Sequence, residues 1–403
     1  MVIGIIGAGA SGMAAALSAA EYQDTQVLLF ERQARVGRKL QATGNGRCNL
    51  TNIHADRGGY RGEAPSFARD VITRYTVEDT LRWFEQLGLY TVSEPSGRVY
   101  PYSDQANSVV DVLRFALEQK NIVLHTACEI KKTKRTQEGF ILESDEGRFV
   151  CDKLIIACGG LAGTKLGGSM SGYHHLWDFG HKMTKLRPAL VQLKSNWRGC
   201  TALKGVRANC RAMILHNGER FAESTGELQF TEYGLSGPVI FEISRDVCQG
   251  RGEWTCVLDL LPDLEDEKVT KLLRLRRNGN LPTDELFTGI LHNRLGRVAT
   301  QEAGIRSGLR ISQLSDEDID RAVRAVKHLE ITLSETLGMD HAQVTAGGMF
   351  TDEFDSTTME SKLVPGLYAC GEVLDIDGDC GGYNLQWAWS SGRLAGHSAG
   401  GTK

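Results

Sequence analysis

Val2-Ile3-Gly4-Ile5-Ile6 runs straight into Gly7-Ala8-Gly9-Ala10-Ser11-Gly12, and Met13 to Tyr22 continues as an alanine-rich stretch of helical composition. The next apolar run, Gln26 to Phe30, ends on Glu31, with Arg32 beside it. A G-x-G-x-x-G that follows a strand, opens a helix and has an acid at the end of the next strand is the pattern of a dinucleotide-binding βαβ unit. Gly7 permits the tight turn, Gly9 lets a pyrophosphate approach the backbone, and Gly12 lets helix and sheet pack closely. The helix start at Ala10 and Ser11 offers free N–H groups and a partial positive charge to the phosphates. Glu31 supplies an acceptor for the adenosine ribose hydroxyls and repels a 2′-phosphate.

The fingerprint alone does not separate NAD from FAD, and the following segment decides. Arg35-Val36-Gly37-Arg38-Lys39-Leu40-Gln41-Ala42-Thr43-Gly44-Asn45-Gly46-Arg47-Cys48-Asn49-Leu50-Thr51-Asn52 is rich in glycine, cations and amides. It is too polar for a core element. It suits a cofactor longer than its first binding loop, with Arg38, Lys39 and Arg47 toward diphosphate and the backbone of Thr43, Gly44, Gly46, Cys48 and Asn49 toward a planar ring.

Further along, the texture changes. Helices are expected at Thr76 to Leu87, with a Thr76-x-x-Asp79 capping pattern, and at Ser108 to Gln119. Short β runs at Val123 to His125, Glu129 to Lys134, Phe140 to Glu143 and Arg148 to Cys151 read as a meander. Leu154 to Cys158 reads as a buried parallel strand leading into Gly159-Gly160. More β runs fill 189–261, and 262–330 is charged and helical in period, with the basic run Arg274 to Arg277 read as a solvated helix face. The last 60 residues return to strand, glycine turn and helix. Glycine at both ends and a different texture between them imply a nucleotide-binding domain interrupted by an insertion.

Composition bounds the function. Glycine supplies 46 of 403 residues against only 8 prolines, which suggests backbone packed against ligands rather than linker. The 46 basic and 50 acidic residues leave a net charge of −4, so nucleic acid is not expected as the main partner. No apolar run is long enough for a membrane span and the N-terminus lacks a basic leader, so a cytoplasmic protein is expected. Ten cysteines without a C-x-x-C pair read as reduced thiols, and no metal centre is expected.

Toward the C-terminus, Gly371-Glu372 follows a strand, where FAD proteins place a carboxylate against the ribitol or a water near the pyrophosphate. Gly381-Gly382-Tyr383-Asn384 then opens the last helix. N–H groups of Asn384, Leu385 and Gln386 at that helix start would stabilise the negative charge of reduced flavin. Candidate groups near the chemistry are Arg98 and Tyr100, in a segment read as a loop and a substrate lip with Tyr102, together with His174 and Cys380. None is assigned as catalytic acid or base, and Cys48 and Cys380 lack the spacing of a redox pair.

These motifs resemble the two-dinucleotide-binding-domain flavoproteins, specifically the group containing aminoacetone oxidase and the BaiN-type bile-acid reductases. The resemblance rests on Gly7 to Gly12, Gly37-Arg38-Lys39, Thr43 to Asn49, Gly226-Glu227 with Phe230-Thr231, Gly234 to Pro238, Val344 to Gly348, Met359 to Lys362, and Gly371 to Gln386. It spans essentially the whole chain. It implies an α/β Rossmann-like FAD-binding domain over 1–188 and 344–403, interrupted by a β-barrel over 189–261 and about 331–343 and a helical subdomain over 262–330. It also implies FAD held non-covalently, with hydride transfer through flavin N5 to or from a small organic substrate. Two activities follow: reduction of activated C=C bonds with NADH or NADPH as a visiting donor, there being no second G-x-G-x-x-G, or oxidation of an amine. The alternative is an FAD-bound structural or RNA-interacting protein without turnover. Glu232 departs from the pattern, which leads one to expect histidine after Phe230-Thr231. Oligomeric state is not legible.

Overall fold

The computed structural model describes residues 1–401. The chain forms two compact units, one of Met1–Pro188 with the chain from Met339 onward, the other Ala189–Gly338. The return point is Met339, ahead of the expected 344, and the helical stretch belongs to the same unit as the barrel strands.

The first unit is built on a five-stranded parallel sheet in the order Leu367–Ala369, Lys153–Ile156, Val2–Ile6, Gln26–Glu31, Ile122–Thr126. Ile5 lies opposite Ile155 on one side and Leu29 on the other. The inner strands are near-continuous apolar runs, as a parallel sheet covered on both faces requires. Their side chains Ile3, Ile5, Leu29, Leu154, Ile155 and Ile156 are fully buried. Val123 to His125, expected in the meander, instead forms the sheet's edge beside Gln26–Glu31. The meander itself has three strands, Ile130–Thr136, Gly139–Ser144 and Gly147–Cys151.

Helix Val77–Gln86 starts at Thr76, whose hydroxyl and the Asp79 carboxylate cap each other's backbone N–H. The expected loop around Arg98 is a strand: Arg98–Pro101 pairs with Thr91–Ser93 and with Thr51–Asn52. The first helix, Ala10–Ala19, packs along the C-terminal helix, Tyr383–Gly401. A side chain at Gly392 or Gly396 would run into the carbonyl oxygens of Ser11 and Ala15. Glycine at those two positions sets how closely the helices approach.

In the second unit six antiparallel strands run in the order Leu193–Lys194, Gly234–Ser236, Glu219–Thr231, Arg207–His216, Trp254–Asp259, Leu329–Leu333. The sheet curls into a barrel, because Lys194 N–H donates to Glu335 O (2.7 Å) and Lys194 O accepts from Ser334 N–H (3.0 Å). Phe230, Ile214, Cys256, Leu258 and Ile331 fill it. Helices Asp266–Arg276, Asn293–Glu302 and Asp316–Lys327 enclose a separate core of Val269, Leu273, Phe287, Ile319 and Val326. The basic run is not simply a solvated face. Arg277 pairs with Asp316 (2.6 Å) and donates to Leu314 O, while Arg276 donates to the carbonyls of Glu285 and Thr288. Glu232 lies exposed in the hairpin between two barrel strands, paired with Lys204 at 2.6 Å.

Candidate functional site

The glycine turn ends on the first helix, whose N-cap, Gly9, carries no side-chain cap. Met13 N–H donates to Gly9 O, so helix geometry leaves the N–H groups of Ala10, Ser11 and Gly12 without intrahelical partners. Gly7 has φ +105° and a side chain there would strike Ala157 O; Gly12 presses on Gly7 O. At Gly9, by contrast, a Cβ would meet nothing within 4 Å, so the backbone is open to a ligand. These N–H groups and that open approach fit a pyrophosphate.

Glu31, at the end of its strand, accepts from Ala8 N–H (3.0 Å, Oε2) and Gln33 N–H (2.8 Å, Oε1). Both bonds hold the carboxylate at the turn, and each oxygen keeps a second lone pair for a ribose hydroxyl. Arg32 turns to Gly167 O (2.7 Å) and Arg38 to Gln33 Oε1 (2.9 Å).

Gly37 caps the short helix Arg38–Ala42, from which Lys39 Nζ reaches Glu372 Oε2 at 2.7 Å. The other Glu372 oxygen accepts from Thr345 N–H (2.8 Å), and a side chain at Gly160 would collide with Glu372 Oε1 and Thr345 Oγ1. Gly159, next to it, borders open space. The Gly371-Glu372 turn and the Lys39 helix are thus joined by one half-buried ion pair, with Gly160 packed against Glu372. Thr345 is part of this junction and also accepts from Ala162 N–H at 2.9 Å. It lies within the Val344 to Gly348 motif, so the sequence carried its signal, although no role was read there.

Thr43 to Gly46 form a tight turn leading to Arg47, whose guanidinium stacks 3.9 Å over the Tyr100 ring and pairs with Glu94 (3.0 Å) and Asp104. Glu94 and Asp104 were not anticipated, since nothing in their spacing marks them as partners of Arg47. Cys48 is fully buried and burial pushes its thiol up to about 12, which disfavours the thiolate a redox role needs. Asn49 Oδ1 is buried with no hydrogen-bond donor among the described residues, which suits a ligand N–H.

Gly371 N–H donates to Ser391 Oγ (3.0 Å) and its carbonyl accepts from Trp387 Nε1–H (3.0 Å), tying this turn to the C-terminal helix. Gly382, at φ +104°, starts that helix against Thr51. Gln386 N–H is already donated to Gly382 O (3.0 Å), so it is not free for a flavin as expected; Asn384 and Leu385 remain as N–H groups that helix geometry leaves without an intrahelical partner. The Gln386 side chain is fully buried on Thr51 (2.6 Å), Thr80 (2.8 Å) and Ser390 (2.9 Å). Asn384 clamps the preceding turn, its amide bonding both N–H and O of Gly378 at 2.8 Å. Tyr383 stacks edge-on against Tyr60.

Of the other candidates, Arg98 lies against Gly381, and Tyr100 is buried beside Arg98, Arg47 and half-buried Cys380. Burial holds the Tyr100 phenol above its usual range and therefore neutral. His174 is exposed on helix Ser171–Asp178 and does not join this group.

The comparison with known proteins matches this architecture. Residues 1–398 match the family described as HI0933-like protein Rossmann domain. The chain is 41% identical to the 3-dehydro-bile acid delta(4,6)-reductase of Clostridium scindens, over 98% of both chains. It is 33% identical to the ribosomal RNA dihydrouridine synthase of Escherichia coli, over 96% of this chain and 95% of that one. In fold it resembles the 3-ketosteroid delta1-dehydrogenase of Sterolibacterium denitrificans, with a TM-score of 0.53 at 12% identity over 100% of this chain and 99% of that one. The chain therefore belongs to the HI0933-like Rossmann family and is an FAD-dependent oxidoreductase.

Proposed function

We propose that this enzyme saturates a C=C bond conjugated to a carbonyl in a small, largely apolar molecule, with electrons from NADH or NADPH. The observation that carries this reading is the end-to-end likeness to a delta(4,6)-reductase. A dihydrouridine synthase also saturates a C=C bond beside a carbonyl, so both relatives point to one reaction class. Amine oxidation has no such support.

FAD, when bound, supplies reversible hydride chemistry. The chain binds and orients. Gly9 and the N–H groups of Ala10 and Ser11 take the pyrophosphate, Glu31 takes the ribose, and Lys39 with Glu372 fixes the middle of the site. The start of the C-terminal helix presents N–H groups of Asn384 and Leu385 to charge that develops on reduction.

An RNA substrate is the second reading, favoured by the match to the ribosomal RNA enzyme. The arginines of the 274–277 run weigh against it, since Arg276 and Arg277 are engaged within their own helical bundle. The test is product analysis with NADPH and two substrates in parallel, a 4,6-dien-3-one steroid and unmodified ribosomal RNA. Saturated steroid is the expected product. Dihydrouridine without steroid reduction would establish the second reading, and turnover of neither would remove both.

A further inference from the structure

The C-terminal helix carries Trp389, Arg393 and His397 at i, i+4 spacing, so they lie along one face. Trp389 is fully buried, and its indole N–H donates to Leu50 O at 2.9 Å, next in the chain after Cys48-Asn49. Its ring lies 6.4 Å from that of Trp83, on helix Val77–Gln86. Arg393 sits 5.2 Å from the Trp83 centroid and 4.4 Å from that of Tyr75, which leaves those two rings one guanidinium apart. Tyr75 meets the His397 ring at 6.5 Å, and His397 Nδ1 lies 2.9 Å from the Tyr22 hydroxyl. Exposure rises along this line: Trp389 and Trp83 are buried, Tyr75 and Tyr22 half-buried, His397 exposed. Other aromatic pairs at the site do not extend in this way among the described residues. Trp387, bonded to Gly371 O, has Phe67 as its ring neighbour at 6.3 Å, and Tyr383 has Tyr60 at 5.9 Å.

We infer that these residues form a one-electron route from the flavin site to the surface and give the enzyme a light-driven activity: under blue light an electron drawn from the protein reaches bound flavin, and the hole left behind leaves through Tyr22. Such a route needs bound FAD and is independent of the reductase reading. Flavin supports one-electron chemistry, and once excited by blue light it oxidises tryptophan. Trp389 gives the electron, Trp83 refills Trp389, and the hole crosses the Tyr75 ring to Tyr22. Burial, with the charge of Glu21 adding to it, keeps the Tyr22 phenol protonated, so oxidation there must release a proton. His397 Nδ1 is within proton-transfer reach of that hydroxyl. The products are flavin with one more electron, a neutral tyrosyl radical at Tyr22 and an imidazolium at His397. Arg393 lies over both Trp83 and Tyr75, and its charge keeps the hole from settling on either. A one-electron reductant at the exposed end, such as ascorbate, returns the electron, and His397 returns the proton. Phenylalanine is far harder to oxidise than tryptophan or tyrosine, so a hole on Trp387 is not passed on through Phe67.

The test uses full-length, FAD-loaded protein without substrate, as wild type, Trp83→Phe, Tyr22→Phe, His397→Gln and, off the line, exposed Tyr90→Phe. Flavin occupancy and circular dichroism are matched first. After a blue laser flash under anaerobic conditions, the transient absorption of tryptophan and tyrosyl radicals is followed. Wild type is expected to show a tryptophan radical that gives way to a long-lived tyrosyl radical, with a solvent deuterium isotope effect on that step. Trp83→Phe loses the tyrosyl signal, and Tyr22→Phe stops at a tryptophan radical that then recombines. His397→Gln slows tyrosyl formation, whereas Tyr90→Phe leaves it unchanged. Under continuous blue light with ascorbate, wild type bleaches its flavin, and Trp83→Phe and Tyr22→Phe lose most of that bleaching. A wild type without a tyrosyl radical overturns the route, as does a tyrosyl radical or full bleaching that survives either Trp83→Phe or Tyr22→Phe. None of these results bears on the reductase reading, which is tested in the dark with substrate.

Discussion

Glu31 carries two duties at one carboxylate. It anchors the glycine turn through Ala8 and Gln33, and in the proposed function it holds the adenosine ribose. Glu31→Ala removes charge-assisted hydrogen bonds on both counts, so FAD affinity falls by about 1–3 kcal/mol. Titration of apoprotein with FAD checks this; an unchanged dissociation constant would take Glu31 out of the site. Its place at the end of the second strand, beside the glycine turn, was legible from the spacing after Gly12. Asn384 was legible only in part. Its place at a helix start could be read from the glycines before it, whereas its side-chain clamp on Gly378 depends on how the preceding turn folds, which no spacing encodes.

Among the elements, the C-terminal helix joins most of the site. Gly392 and Gly396 seat it against the first helix, Ser391 and Trp387 hold the Gly371 turn, and Gln386 locks it to Thr51 and Thr80. If its free N–H groups face charge that develops on reduction, removing one shifts redox balance more than binding. Leu385→Pro takes away one donor at an early helical position where proline is tolerated. The flavin midpoint potential then falls by tens of millivolts with FAD still bound, since a differential of ~1–2 kcal/mol corresponds to that scale at about 30 mV per 1.4 kcal/mol. Dye-coupled titration at equal flavin occupancy measures it, with Leu385→Ala controlling for lost packing; identical potentials would mean that the helix start does not serve the flavin. The glycine turns and long helices were readable from local pattern. The Arg98–Pro101 strand was not, because Pro95, Gly97 and Pro101 give that stretch the composition of a loop, and only pairing with Thr51–Asn52 and Thr91–Ser93 makes it a strand. For the same reason Ile122–Thr126 was placed in the meander: a short β run does not declare which sheet it joins.

Across the whole molecule, the two ends of the chain build the dinucleotide-binding unit and the middle supplies a barrel with its helices, an organisation visible in the change of texture along the sequence. Among the described residues no helix is long and apolar enough to cross a membrane. The central claim is that electrons pass from a nicotinamide donor through FAD to a conjugated C=C bond, and the two half-reactions can be watched separately. The FAD-loaded protein is mixed anaerobically with NADPH, and in parallel with NADH, while the visible flavin band is followed; a 4,6-dien-3-one steroid is then added before any air. The account predicts rapid bleaching by at least one nucleotide and recovery of the band on adding the dienone, with one saturated product per flavin reoxidised. A flavin that neither nucleotide bleaches, or that stays bleached with the dienone and recovers only in air, would contradict it.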